Sequence, residues 1–172
     1  MAVKVDVVDS NPNWPDEFNS EKLRLKHALG DLIAEIHHIG STSITGLAAK
    51  PVIDIMLEVK SLAALDNKTL AMNSLGYEAK GEFGIVGRRY FIKGGAYKSH
   101  QIHAFKTTDA NITRHIAFRD YLQSHPMVMK EYANLKKKLA SECKDNIDMY
   151  CDGKDEFIKF YESKAIKWYA NT

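Results

Sequence analysis

The sequence predicts an α/β fold of the α+β kind, a small mixed sheet flanked by helices with a helical C-terminal third. Three observations carry that expectation. From Val52 to Val59, Ile53, Ile55, Leu57 and Val59 alternate with Val52, Asp54, Met56 and Glu58, which is the two-residue repeat of a strand with unlike faces. Val128, Tyr132, Leu135, Leu139 and Cys143, and later Ile158, Tyr161, Ala165 and Trp168, recur at helical spacing, so the last third reads as amphipathic helices. Between these regions, two β-like runs over 86–93 and 97–106 flank Gly94 and Gly95, a pair suited to a hairpin turn.

Taken in order, the first helix starts at Pro15, whose φ is pre-set, with Asp16 and Glu17 facing the positive end of the helix dipole. Phe18, Leu25, Leu29 and Leu32 give it an apolar face, and it should stop near Gly30 or shortly beyond. A strand-like run from Ile36 to Ile39 leads into Gly40, and a helical stretch over 61–74 ends at Gly76. The remaining helices are expected over 112–123, 126–143 and 154–169. Lys136, Lys137 and Lys138 read as a solvated surface run.

With 172 residues, one domain over 1–172 is expected, since domains typically hold about 100–200 residues. Hydrophobic residues at 45% and charged residues at 27% exclude a disordered or fibrous chain. Lys and Arg number 24 against 22 Asp and Glu, so nucleic acid is not implied by the overall field. No leader-like start and no stretch near the roughly 20 apolar residues of a membrane span is visible, giving a cytoplasmic expectation without membrane contact. Cys143 and Cys151 lack metal-site spacing and fit a reduced pair. Oligomeric state is not legible.

The chemistry concentrates between His38 and Met56. In Gly40-Ser41-Thr42-Ser43, glycine permits close backbone approach and the hydroxyl and N–H donors can cradle phosphate oxygens, although such a stretch also serves as an ordinary turn or cap. Asp54 projects from the following strand and is the hard oxygen donor that holds Mg²⁺ or Mn²⁺ against nucleotide phosphates. Lys50 is either a phosphate counter-charge or a surface lysine. His103 lies in a strand-like run and is either a partner of Asp54, as metal ligand or acid/base, or a hydrogen-bonded core or edge residue. Arg88 and Arg89 are adjacent, so on a strand only one of them can reach a phosphate. Arg119 suits a ligand contact, with Asp120 structural.

A hydrophobic residue, Gly-Ser, a gap and then an Asp on a strand resembles the signature of the nucleotidyltransferase superfamily. HisIleGlySerThr at 38–42, GlyLeuAlaAlaLysPro at 46–51 and IleAspIle at 53–55, with Trp14, Arg88-Arg89-Tyr90-Phe91, the 100–103 strand, the 118–122 run and His125-Pro126, resemble the GrpB family, a branch of that superfamily. The resemblance covers nearly the whole chain. It implies a nucleotidyltransferase-like fold and a nucleotide or related phosphorylated ligand, and some members joined to dephospho-CoA kinase point to nucleotide or coenzyme A metabolism. Active superfamily members carry a second carboxylate two residues after the first, where this chain has Met56. Glu58 shares the strand face but sits about 13 Å along it. Three readings stay open: a metal-dependent nucleotidyltransferase, a non-catalytic nucleotide- or coenzyme A-related binding module, or, third, metal-dependent hydrolysis using Asp54 and the histidines.

Overall fold

Helix α1 (Trp14–Leu29) forms where expected, with Pro15 in its first turn and Gly30, at φ 55°, ending it. The computed structural model describes residues 5–172; residues 1–4, part of the stretch read for a leader, lie outside the described residues. Five strands follow at β1 (Ile33–Ile39), β2 (Ile53–Val59), β3 (Tyr77–Ala79), β4 (Arg89–Lys93) and β5 (His100–Lys106). Helices α2 (Leu62–Asp66) and α3 (Thr69–Ser74) separate β2 from β3, and α4 (Ala110–Ser124), α5 (Pro126–Cys143) and α6 (Ile147–Ala170) complete the described chain.

The sheet order is β1-β2-β5-β4-β3. β2 and β5 run parallel, and the other neighbours are antiparallel, so the sheet is mixed as expected. The two-residue repeat of β2 decides what covers each face. Ile53, Ile55, Leu57 and Val59 join Ile36, Phe91, Ile102 and Ala104 in a core sealed by Trp14, Phe18, Leu25 and Leu29 of α1. On the other face, Met56 packs with Ile39, Phe105 and Ile112 of α4. Asp54 shares this second face, at the end of β2 that α4 leaves open.

Several boundaries differ from the sequence reading. The helical stretch over 61–74 breaks at Asn67 and Lys68 into α2 and α3, with the Ser61 hydroxyl capping α2 at 3.1 Å. β3 has three residues, too few to display alternation. The β-like run expected over 86–93 becomes strand only at Arg89, because Gly81, Gly84 and Gly87 take positive φ and turn the chain first. The 97–106 run likewise begins at His100. α6 starts at Ile147, where the Asn146 side chain accepts from the Met149 N–H at 3.0 Å, and runs through Gly153. At that glycine α6 lies close against α5: a Cβ there would lie 2.5 Å from a Leu139 methyl. Lys136 is not a solvated residue but 2% exposed. Among the described residues no helix is long and apolar enough to cross a membrane.

Candidate active site

Gly40 ends β1 with φ 71° and turns the chain into a 3₁₀ turn, Ser41–Ser43. Its missing side chain has a specific reason, because a Cβ would stand 2.5 Å from Asp54 Oδ2. The backbone therefore lies directly against the carboxylate, as the β1–β2 register of Ile39 with Asp54 dictates. The Gly-Ser bend and Asp54 are brought together.

The hydroxyls of the bend are divided in use. Thr42 is buried and its Oγ1 is bonded to His38 Nε2 at 2.9 Å, while Ser43 Oγ donates to the Gly40 carbonyl at 2.5 Å. Thr42, expected to cradle phosphate, is thus committed to holding the bend. The Ser41 hydroxyl is hydrogen-bonded to the Tyr132 phenol of α5.

Asp54 has a side chain 28% exposed, and its Oδ1 lies 3.2 Å from His103 Nε2. The other imidazole nitrogen, Nδ1, is 3.4 Å from Arg88 Nη1. A guanidinium can only donate, so Nδ1 accepts and the Nε2 proton points at Asp54. Burial pushes the Asp54 carboxyl up, but the His103 hydrogen bond, with Lys50 and Lys154, outweighs it and holds the group below its ordinary value. It is an ionised carboxylate in a cationic surrounding.

That surrounding contains Lys50, which the sequence reading named, and three residues it did not single out as site residues, Lys136, Lys154 and Tyr150. Lys50 stands 5.4 Å and Lys154 4.6 Å from the Tyr150 ring centre, and Lys136 stands 4.8 Å from that of Tyr132. Among the described residues none of the three ammonium groups makes a hydrogen bond or ion pair. Burial, then Lys154 and Lys50, push the Lys136 amine well below its ordinary range, with Asp54 acting the other way. Lys154 is lowered by burial and Lys50, and Lys98 by the same two causes. The Tyr150 hydroxyl is the one buried side-chain polar atom without a partner among the described residues. Buried polar groups are ordinarily paired, so an orphaned phenol next to unpaired lysines departs from the usual pattern.

The other expected residues divide. Arg88 faces Asp54's side of the sheet, is 7% exposed, and donates to the Glu82 and Phe83 carbonyls at 3.1 and 2.6 Å. Arg89 faces away and forms a two-pronged pair with Asp66 at 2.8 and 3.2 Å, in the wall of a cavity of about 520 Å³ on the opposite face. It is not brought to Asp54. Arg119 donates to the His38 carbonyl at 3.1 Å and to Asp120 at 2.8 Å, which ties α4 to the end of β1. Met56 is wholly buried among Ile39, Phe105 and Ile112 and does not line the opening, while Glu58 is bonded to His37.

Residues 4–164 match the family model described as GrpB protein. The UPF0157 protein YqkA of Bacillus subtilis is 48% identical over 165 residues, 96% of this chain and 48% of YqkA, so the chain spans about half that relative's length. The crystal structure of conserved protein GrpB from Enterococcus faecalis superposes with a TM-score of 0.92 at 40% identity, over 95% of this chain and 99% of that one. A cytoplasmic RNA terminal U-transferase superposes at a TM-score of 0.49 with 16% identity, over 78% and 42% of the respective chains. By sequence along nearly its full length and by the arrangement of its sheet and helices, the chain belongs to the GrpB family.

Proposed function

We propose that the protein is a nucleotidyltransferase-like enzyme that takes a nucleoside triphosphate or a related polyphosphate ligand at Asp54, with the phosphate chain lying on Lys50, Lys136 and Lys154. The observation that carries this reading is Lys136, 2% exposed and without hydrogen bond or ion pair among the described residues, set over the Tyr132 ring that meets Ser41 and within the electrostatic reach of Asp54. A buried amine left unpaired is destabilising in its charged form and is retained where an anionic guest completes it. Ser41 and the Gly40 backbone supply close donors, and the lysines neutralise charge that builds up on departing pyrophosphate. In the transfer, an acceptor oxygen bonds to the α-phosphorus as the bond to pyrophosphate breaks, and the acceptor's proton leaves through the Asp54 and His103 pair.

A divalent ion fits in one way only. Among the described residues no group of three His, Cys, Asp or Glu could hold one, and His103 Nε2 is spent on Asp54. Asp54 would therefore hold Mg²⁺ or Mn²⁺ as a single carboxylate, the ligand's phosphates and water completing the shell. When bound, such an ion would supply charge neutralisation to the ligand's phosphates.

Calorimetric titration with a nucleoside triphosphate and Mg²⁺ tests the reading. Asp54→Ala and Lys136→Met are each expected to weaken binding at least tenfold, and unchanged binding in both overturns it. The single carboxylate beside a Met56 sealed into the core favours the second reading, a binding module without chemistry. Incubation with α-labelled nucleotide and a metabolite extract separates the two, since label moved to any acceptor excludes a pure binder.

A further inference from the structure

Residues 80–88, between β3 and β4, stand beside the Asp54 and His103 pair, and the proposed phosphate contacts leave them unused. Gly81, Gly84 and Gly87 take φ of 62, 89 and 81°, and Phe83 joins them in the left-handed region at 48°. For a residue with a Cβ that conformation is strained. Burial of the ring is not the return, because Phe83 is 62% exposed and Val86 on the same loop 86%.

The loop is nevertheless firmly held. The Glu82 carboxylate accepts from the Gly87 N–H at 2.6 Å, and the Arg88 guanidinium ties down the Glu82 and Phe83 carbonyls. That same guanidinium contacts His103. The inner face of Phe83 stacks on Tyr90 with centres 5.0 Å apart and planes 23° apart, and the Tyr90 ring lies 5.4 Å from that of His103. A run of rings thus leads from solvent to the partner of Asp54. By strand order, Arg88 and Tyr90 lie on the β4 side of Asp54, and Gly40 and Ser41 on the β1 side.

We propose that the outer face of Phe83 is the acceptor subsite, taking the planar aromatic ring of an elongated acceptor whose other end reaches His103 and Asp54. The inference rests on the transfer reading, since only transfer requires a second substrate. A rigid, solvent-facing aromatic plate offers stacking at little further ordering cost. The acceptor is elongated because two ring spacings, 5.0 and 5.4 Å, separate Phe83 from His103.

The test places an indole at the plate by Phe83→Trp and titrates it with adenosine, reading fluorescence against the unsubstituted protein. Saturating quenching, at least threefold above that of free N-acetyltryptophanamide at equal adenosine, is expected. It should persist when Lys136→Met is added, while inorganic triphosphate binding, followed by calorimetry, is lost. Linear quenching equal to that of the free indole, beside intact triphosphate binding in the unsubstituted protein, overturns the Phe83 subsite alone. Absence of triphosphate binding in the unsubstituted protein removes the transfer reading and the acceptor role with it.

Discussion

Lys136 concentrates the conflict between stability and use in a single side chain. Its amine is lowered by burial and by two other lysines, so the unfolded chain binds the proton more tightly and folding is penalised wherever that proton must be shed or carried inside. Lys136→Met is therefore expected to raise stability by about 1–2 kcal/mol in urea denaturation at pH 7, while abolishing polyphosphate binding. Because an anion restores the charged form, binding should take up a proton. Titrations in buffers of different ionisation enthalpy measure that uptake, and affinity should fall as pH rises above neutrality. The sequence hid this residue inside a run of three lysines, although it lies four positions after Tyr132 and so on the same buried stripe of α5. Gly40 was legible as a glycine of close approach, but what it approaches was not: the Asp54 oxygen 2.5 Å from its absent Cβ. Gly40→Ala combines that clash with a φ of 71°. It should cost about 1–2 kcal/mol of stability and displace the carboxylate, read as loss of triphosphate binding in calorimetry.

At the scale of elements, β2 was the most legible part of the chain, since its alternation announced two unlike faces and both were found. What alternation could not say is how far along that second face the opening extends. Asp54 lies at the open end, and two residues on α4 has closed over Met56 with Ile112 and Ile116. A carboxylate at 56 would be buried without a partner, so Met56→Asp is expected to destabilise the fold by about 3–5 kcal/mol, measured by denaturant unfolding, instead of restoring a two-carboxylate site. The α5–α6 pair shows the same limit of sequence reading. The last helix was expected over 154–169, yet α6 already passes through Gly153, where it lies close on Leu139, and the neighbouring Lys154 acts on Lys136. Periodicity identifies which face of a helix is apolar, whereas which two helices touch is decided by the shapes that meet.

For the whole molecule, the mixed sheet and the helical last third follow from hydrophobic spacing, which is local. The site was half legible: the bend, Lys50, Asp54 and His103 were visible, Lys136, Lys154 and Tyr150 were not, because they arrive from helices distant in sequence. Acid should expose how many of the molecule's titratable groups are held in unusual states. Burial lowers His38 to about 4, against opposition from Asp54, and lowers His115 to about 3, with help from His103. Both lie below the unfolded value of 6.5, so the unfolded chain takes up protons first and stability falls as pH drops below it. Each histidine adds up to about 1.4 kcal/mol per pH unit until its folded value is reached. Asp54 and Glu21, also held low, act in the same direction at lower pH. Urea midpoints followed by circular dichroism from pH 7 to pH 4 should decline steadily, and a flat profile would contradict the buried, uncharged imidazoles.

The parallel pairing of β2 with β5 has a consequence for how the chain comes into being. No tight hairpin can unite these strands, and residues 60–99 must be laid down between them. During synthesis on a ribosome, the flank of β2 that receives β5 stays bare until residue 106 has emerged, a sticky ribbon edge open to unwanted neighbours. Asp54 meets His103 only when that edge is closed, so competence to bind arrives with the slow, long-range step of folding and not before it.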